Sequence, residues 1–197
     1  MPCRFGMSHT NVKEIDMRKS LAVVAAVSCA TLSFTPATPS AHAASATMSD
    51  AEVLGIYIKV NGFDVETALL ARAQASSNDV RTLANHVSAD HMGVRQAAFD
   101  LAAKCNVSPV LPASRVAAAL EHGKAMTKLA ALTGAEFDKS YLLREVAFHR
   151  SAIDAVRNVL LPSVTCAAIK THFNTVLPAF EHHLSETETL ARQFGAH

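Results

Sequence analysis

The sequence contains few residues of the kinds that shape irregular structure: its 197 residues include seven glycines, seven prolines, two tyrosines and no tryptophan. This scarcity of glycine and proline excludes collagen-like, loop-rich and glycine-cradle architectures. Charges are few and nearly balanced, 18 Lys and Arg against 17 Asp and Glu, so no basic stripe for nucleic acid is present. At 50% hydrophobic residues, rich in Ala, Leu and Val, the chain is not a disordered tail and is predicted to be all-α.

Short catalytic motifs are absent as well. The sequence contains no Gly-x-Ser-x-Gly, no Walker loop, no Gly-x-Gly-x-x-Gly and no Cys-x-x-Cys. It also contains no Glu-x-x-His pair, which di-iron proteins of the ferritin type use. Serine hydrolase and di-iron oxidase chemistry are therefore not predicted.

The N-terminal segment has the organisation of a secretory signal peptide. An uncharged, mostly apolar run at residues 21–34 is too short to cross a bilayer as a helix, and Arg18 and Lys19 precede it. The A-x-A sequence at residues 41–43 is a site for signal peptidase. We therefore expect export with cleavage of this segment.

Cleavage before Ala44 would divide the chain into two parts. Residues 1–43 would be an N-terminal extension with the signal peptide, with Met17 as an alternative translation start, and residues 44–197 a single helical domain. No transmembrane span is predicted after cleavage, so the expected location is the periplasm or the medium, with outer-membrane association as the alternative. The sequence identifies no protein partner.

Five helices are predicted from apolar residues at 3.6-residue spacing and from capping residues. Ser49 and Glu52 form a capping box for the first helix, and Ser77 or Asn78 and then Ser114 are expected to cap the next two. The predicted helices cover residues 49–75, 78–105, 114–132, 136–161 and 165–194.

The lengths of the connections predict the topology. The turns near residues 77 and 163 are short, so each joins antiparallel neighbours, whereas the connection at residues 106–134 is long and contains its own helix. A helical crossover of this kind makes the second and third long helices parallel. The expected fold is a ferritin-like four-helix bundle, with Cys105 and Cys166 at the same end and predicted to form a disulfide.

Three histidines fall on inward-facing positions of three long helices: His91, His149 and His183. In two antiparallel helices, residues at equal numbers of positions before and after the turn lie at the same level. Counting from the first turn in this way places His91 opposite Asp64, with Glu66 nearby. The same count from a turn at residue 163 places His149 opposite residue 177. His183 is six residues further along this helix, so it is expected to lie ~9 Å from the level of His149.

Two interpretations of these polar residues stay open. They are either a hydrogen-bonded polar core or the ligands of a divalent transition metal such as zinc, iron, copper or manganese. The candidate metal ligands are Asp64, Glu66, His91, Glu145, His149 and His183. The histidines expected at the surface or rim are His86, His122 and His172.

Three segments keep an order and spacing found together in one family. They are SNDVR at residues 77–81 followed by ADH at 89–91, GAEFDKSY at 134–141 leading to His149, and LPAFEHHL at 177–184. The pattern resembles family 4142 of domains of unknown function over residues 50–192. This resemblance implies an exported, bacterial, ferritin-like protein without an agreed activity, whose characteristic histidines fall on His91, His149 and His183. The chain differs from the family at Asp64, where Glu is usual, and at Ala68, where Gly is usual.

The expected function is that of a non-enzymatic exported helical bundle that binds a metal or a small ligand in envelope stress. The physiological part of this expectation depends on the family resemblance alone. The alternatives are a metalloenzyme with a His and carboxylate centre, and a structural module that docks on another envelope protein.

Overall fold

The computed structural model of the chain describes residues 48–196, and this part is all-helical. The predicted signal peptide and its cleavage site lie outside the described residues. Among the helices of the described part, none is long and apolar enough to cross a membrane. The helices are α1 (Asp50–Gln74), α2 (Asn78–Lys104), α3 (Val116–Ala130), α4 (Gly134–Ala155), α5 (Leu161–Ser163) and α6 (Ala167–Gln193).

Two of the predicted caps are confirmed and one is wrong. The capping box of α1 is complete, because the Ser49 hydroxyl accepts from the Glu52 amide while the Glu52 carboxylate accepts from the Ser49 amide. Ser77 caps α2 by accepting from the amide of Asp79. Ser114 does not cap α3, since it lies inside a 3₁₀ turn that precedes the helix and no side chain caps this end.

The long helices pack as antiparallel neighbours. Side-chain pairs with α6 run in opposite numerical order, Arg150 of α4 with Glu188 and Arg157, just after α4, with Glu181. Asp64 of α1 meets His91 of α2, and the turn after α1 meets the first turns of α4. Helices α2 and α4 are both antiparallel to α1 and therefore parallel to each other, as the long connection predicts.

The connection between α2 and α3 lies tightly against α1. The amide of Val110 donates to the carbonyl of Ala51, and the backbone of Val110 occupies the space that a Cβ of Gly55 would need. Gly55 is thus the residue that allows the two backbones to approach.

The bend between α4 and α6 lies further along the chain than predicted. A π-helical turn (Val156–Leu160) and α5 continue the helical path, and Pro162 is tolerated because it occupies the first turn of α5. The chain turns only at residues 164–166, where the Asp50 carboxylate accepts from the amides of Thr165 and Cys166.

Apolar side chains form two clusters, one toward each end of the four long helices. One cluster contains Ile56, Ile153 and Phe173, and the other contains Val80 and Phe137. Polar residues of α1, α2, α4 and α6 lie at the level between the two clusters. The predicted disulfide joins Cys105 to Cys166 at the end of the first cluster, with a Cα–Cα distance of 6.2 Å.

Candidate metal centre

Four polar side chains, one from each long helix, meet between the two apolar clusters. Asp64 comes from α1, His91 from α2, His149 from α4 and His183 from α6. Their residue exposures are 1%, 4%, 1% and 3%, so the group is buried from solvent. Helical spacing explains this placement, because each residue continues the inward-facing stripe of its own helix.

The distances within this group are short. His91 Nε2 lies 3.0 Å and His149 Nε2 lies 3.5 Å from the same atom, Asp64 Oδ2. The ring of His183 has its centroid 5.5 Å from that of His91 and 5.6 Å from that of His149. Ligand atoms of the three histidines lie within 4.8 Å of one another. The offset of His183 expected from the sequence is therefore wrong, because the chain turns later than residue 163.

The second nitrogen of each imidazole is hydrogen-bonded to a different oxygen atom outside the group. His91 Nδ1 lies 2.8 Å from Asn61 Oδ1, and His149 Nδ1 lies 3.1 Å from the carbonyl oxygen of Glu145. His183 Nε2 lies 2.9 Å from Asp90 Oδ2. Each of these oxygens accepts a hydrogen bond, so the hydrogen-bond network assigns the proton to that nitrogen.

The orientation of Asn61 supports this assignment for His91. The Asn61 amide nitrogen donates to the carbonyl of Tyr57 at 2.8 Å, which leaves its oxygen directed at His91 Nδ1. A neutral imidazole has only one N–H, so the nitrogen that faces the group carries a lone pair in each ring. Metal-binding histidines have this arrangement, in which the outer N–H donates to a carboxylate or carbonyl.

The imidazole nitrogens that face the centre are unsatisfied. Nε2 of His91, Nε2 of His149 and Nδ1 of His183 are buried without a hydrogen-bond partner among the described residues, and the buried Asp64 carboxylate has the Glu145 carboxyl group as its neighbouring donor. Leaving a buried acceptor unsatisfied costs about 1–3 kcal/mol for each group. Because all of these atoms are acceptors, a cation satisfies them together, and the donor set fits a divalent transition metal.

Burial keeps the imidazoles neutral. It lowers the pKa of His91 to about 4, although the negative charge of Asp64 opposes this shift. Burial also lowers the pKa of His149. Both rings are therefore uncharged lone-pair donors near neutral pH, which is the form that binds a metal.

A second acid and a phenol border the centre on α4. Glu145 Oε2 lies 3.7 Å from His149 Nδ1, and burial followed by the charge of Asp64 raises the pKa of Glu145 well above its usual range. The Tyr141 hydroxyl is buried without a partner in the described part of the chain, and burial raises its pKa as well. Glu145 is thus a neutral acid beside the group, and a side-chain hydrogen bond to Asp64 favours this protonated form.

Comparison with known proteins places the chain in a family. The family model for a domain of unknown function, DUF4142, matches residues 35–190. The chain belongs to the DUF4142 family. It is similar in fold to a DUF305 protein of Streptomyces coelicolor, described as secreted, with a TM-score of 0.62 and 17% identity over 75% of this chain and 94% of that one. A search of curated proteins finds no significant match.

Other predicted residues of this DUF4142 chain lie away from the centre. Glu66 is directed to the opposite side of α1, where its Oε2 lies 2.9 Å from Nε2 of His122. His122, expected at the rim, is buried, although its partner Glu66 is exposed. His172 is half-buried, and its Nε2 lies 3.1 Å from the Tyr57 hydroxyl. His86 is exposed, as expected.

Asn61, Asp90 and Tyr141 are part of the site but were not among the residues predicted for it. Asn61 lies three residues before Asp64 and therefore on the same face of α1, a spacing that a search for partners of His91 would have found. Asp90 directly precedes His91 in sequence but contacts His183 of α6. That contact depends on how α2 packs against α6, which the sequence does not reveal.

Proposed function

We propose that this DUF4142 protein is an exported protein that binds one divalent transition-metal ion. The ligands are the inward-facing nitrogens of His91, His149 and His183 together with the carboxylate of Asp64. One observation carries the proposal: three imidazole lone pairs without hydrogen-bond partners among the described residues converge beside a buried carboxylate, while the outer nitrogen of each ring is hydrogen-bonded to an oxygen.

The composition of the ligand set limits the metal. Three imidazoles and one carboxylate suit zinc, iron, copper or manganese, and the absence of thiolate ligands disfavours a site selective for soft metals. Glu145 remains beside the centre as a neutral acid, within reach of Asp64 and His149. A di-iron centre is not proposed, because the chain has no Glu-x-x-His pair.

The fold and the N-terminal sequence support a location outside the cytoplasm. We interpret the four long helices with parallel α2 and α4 and the helical connection between them as a ferritin-like four-helix bundle. The apolar run at residues 21–34 and the A-x-A site support cleavage before Ala44 and release into the periplasm or the medium. The DUF305 protein of similar fold, described as secreted, agrees with this location.

Metal analysis of the exported protein tests the proposal. The protein is purified from its exported fraction without chelators, and bound metal is measured by mass spectrometry for the wild type and for His149→Ala and His183→Ala. His182→Ala is the matched control, because this neighbouring side chain is 69% exposed and on the same helix. Circular dichroism verifies that each variant is folded.

We expect about one metal per chain in the wild type and in His182→Ala, and a much lower metal content in the other two variants. Loss of an outer hydrogen-bond partner alone weakens metal binding by about 10–100-fold, and loss of a ligand should cost at least as much. Equal metal content in all four proteins, or no metal in any of them after incubation with zinc, iron, copper and manganese salts, would overturn the proposal.

A further inference from the structure

A cavity of about 570 Å³ lies among α1, α3 and α4 and reaches the candidate metal centre. The buried rings of His91 and His149 form its inner wall, and the exposed residues Arg115 and Glu121 line it nearer to solvent. Its volume is within the range of about 300–1,000 Å³ that is typical of small-molecule sites. Most of the wall is apolar, and the main contributors are Ile56, Val60, Phe63, Phe148, Val156 and Phe180.

Arg144 on α4 is a cation in the wall of this cavity. It forms no ion pair among the described residues, and its Nε is buried without a hydrogen-bond partner there. A partly buried charge without an opposite charge is costly, because the protein does not replace the water that the charge loses. The guanidinium is therefore available to pair with an anion that enters the cavity.

His122 fixes the position of this guanidinium. Arg144 Nη2 donates to His122 Nδ1 at 2.8 Å, and His122 Nε2 in turn donates to Glu66 Oε2 at 2.9 Å. The His122 ring also stacks on Phe63, with a centroid distance of 4.2 Å. Glu66 bonds to His122 and forms no ion pair with Arg144, and only one of the five donors of the guanidinium bonds to a described residue.

We propose that this cavity binds a small monocarboxylate with an apolar body. The carboxylate pairs with Arg144, since the planar guanidinium matches a carboxylate in two parallel hydrogen bonds. The apolar body lies along Phe63 and Phe148 and extends toward the edges of His91 and His149. The wall explains the selectivity: the partly buried Arg144 favours a negatively charged head group, and the apolar length of the wall favours a hydrocarbon body over a sugar or a nucleotide. This proposal does not require the metal, so carboxylate binding and metal binding are tested separately.

Calorimetric titration of the mature protein, in metal-free and metal-loaded form, tests the proposal. The probes are octanoate and 4-phenylbutanoate, and octanol and octylamine keep an apolar chain but replace the negative head. Arg144→Gln removes the proposed contact. Arg150→Gln is the matched control, because Arg150 is on the same helix, is exposed and pairs with Glu188 at the surface.

We expect one of the two carboxylates to bind at one site per chain in the metal-free protein and at least tenfold more tightly than octanol or octylamine. Arg144→Gln is expected to weaken this binding at least tenfold, and Arg150→Gln to leave it unchanged. Absence of binding by both carboxylates, equal binding of octanol, or full binding by a folded Arg144→Gln variant would overturn the proposal. If Arg144→Gln does not fold, binding of the carboxylates, octanol and octylamine to the wild type decides whether the cavity selects a carboxylate.

Discussion

His91 Nε2 faces Asp64 Oδ2 across 3.0 Å without forming a hydrogen bond to it. The outer nitrogen of His91 is held by Asn61, so a neutral ring directs its lone pair at a carboxylate. Two electron pairs at this distance repel each other unless a positive charge lies between them. A proton on His91 or a metal ion supplies that charge, and the lowered pKa of His91 disfavours the proton.

The lowered pKa of His91 predicts that the metal-free protein loses stability in acid. The ring has a pKa of about 4 in the folded protein, against 6.5 for a solvent-exposed histidine side chain, so the unfolded chain binds the proton first as the pH falls. The stability that the neutral ring contributes is therefore complete above pH ~6.5 and is lost as the pH falls toward ~4. The loss is on the order of 3 kcal/mol, because each pKa unit corresponds to about 1.4 kcal/mol.

Urea unfolding of the wild type and of His91→Gln between pH 7.5 and pH 4 measures this contribution. The comparison is needed because the raised pKa of Glu145 acts in the opposite direction, contributing stability at low pH that is lost as the pH rises. Both proteins contain Glu145, so the difference between them isolates His91. We expect the wild type to lose stability relative to the variant as the pH falls. A difference that does not change with pH would show that His91 does not have a lowered pKa.

The disulfide between Cys105 and Cys166 predicts a large dependence of stability on the redox state. The two residues are separated by 61 positions, and a cross-link of this length stabilises by about 4 kcal/mol through the entropy of the unfolded chain. The double variant Cys105→Ser and Cys166→Ser is expected to unfold at a correspondingly lower urea concentration than the oxidised wild type. Reductant should remove most of this difference, and a wild type that is unaffected by reductant would argue against the bridge.

Two glycines in long helices predict opposite effects of the same substitution. A Cβ at Gly55 would collide with the backbone of Val110, whereas a Cβ at Gly93 would meet nothing within 4 Å. We expect Gly55→Ala to destabilise the protein by about 1–3 kcal/mol through overpacking. Gly93→Ala should stabilise it by up to about 1 kcal/mol, because alanine is the better helix former. Thermal unfolding of both variants measures this, and equal effects would contradict the packing of the connection against α1.

The helices and one half of the candidate site were predictable from the sequence. The turn after α1 is short and capped by Ser77, so counting residues from its centre places Asp64 opposite His91 correctly. The same count fails for His149 and His183, because the helical path continues through Pro162 and the chain turns at residues 164–166. A shift of two residues in the centre of a turn moves the opposite position by four, which is one helical turn.

The position of α3 was not predictable. Its periodicity indicates a helix but not which neighbours it contacts, so nothing in the sequence indicates that His122 lies between Glu66 and Arg144. Glu66 was assigned to the centre because it is two residues from Asp64. In a helix, residues two apart point in clearly different directions, and the structure directs Glu66 to the side that faces α3.

The most direct test of the metal proposal is anomalous X-ray diffraction from crystals of the mature protein. The protein is purified without chelators or is incubated with zinc. Data are collected on both sides of the absorption edge of the metal. The account predicts one anomalous peak between the two apolar clusters, about 2.0–2.2 Å from Nε2 of His91, Nε2 of His149, Nδ1 of His183 and an oxygen of Asp64. An ordered Asp64 and His91 with no peak between them, or a peak only at exposed histidines such as His182, would contradict it.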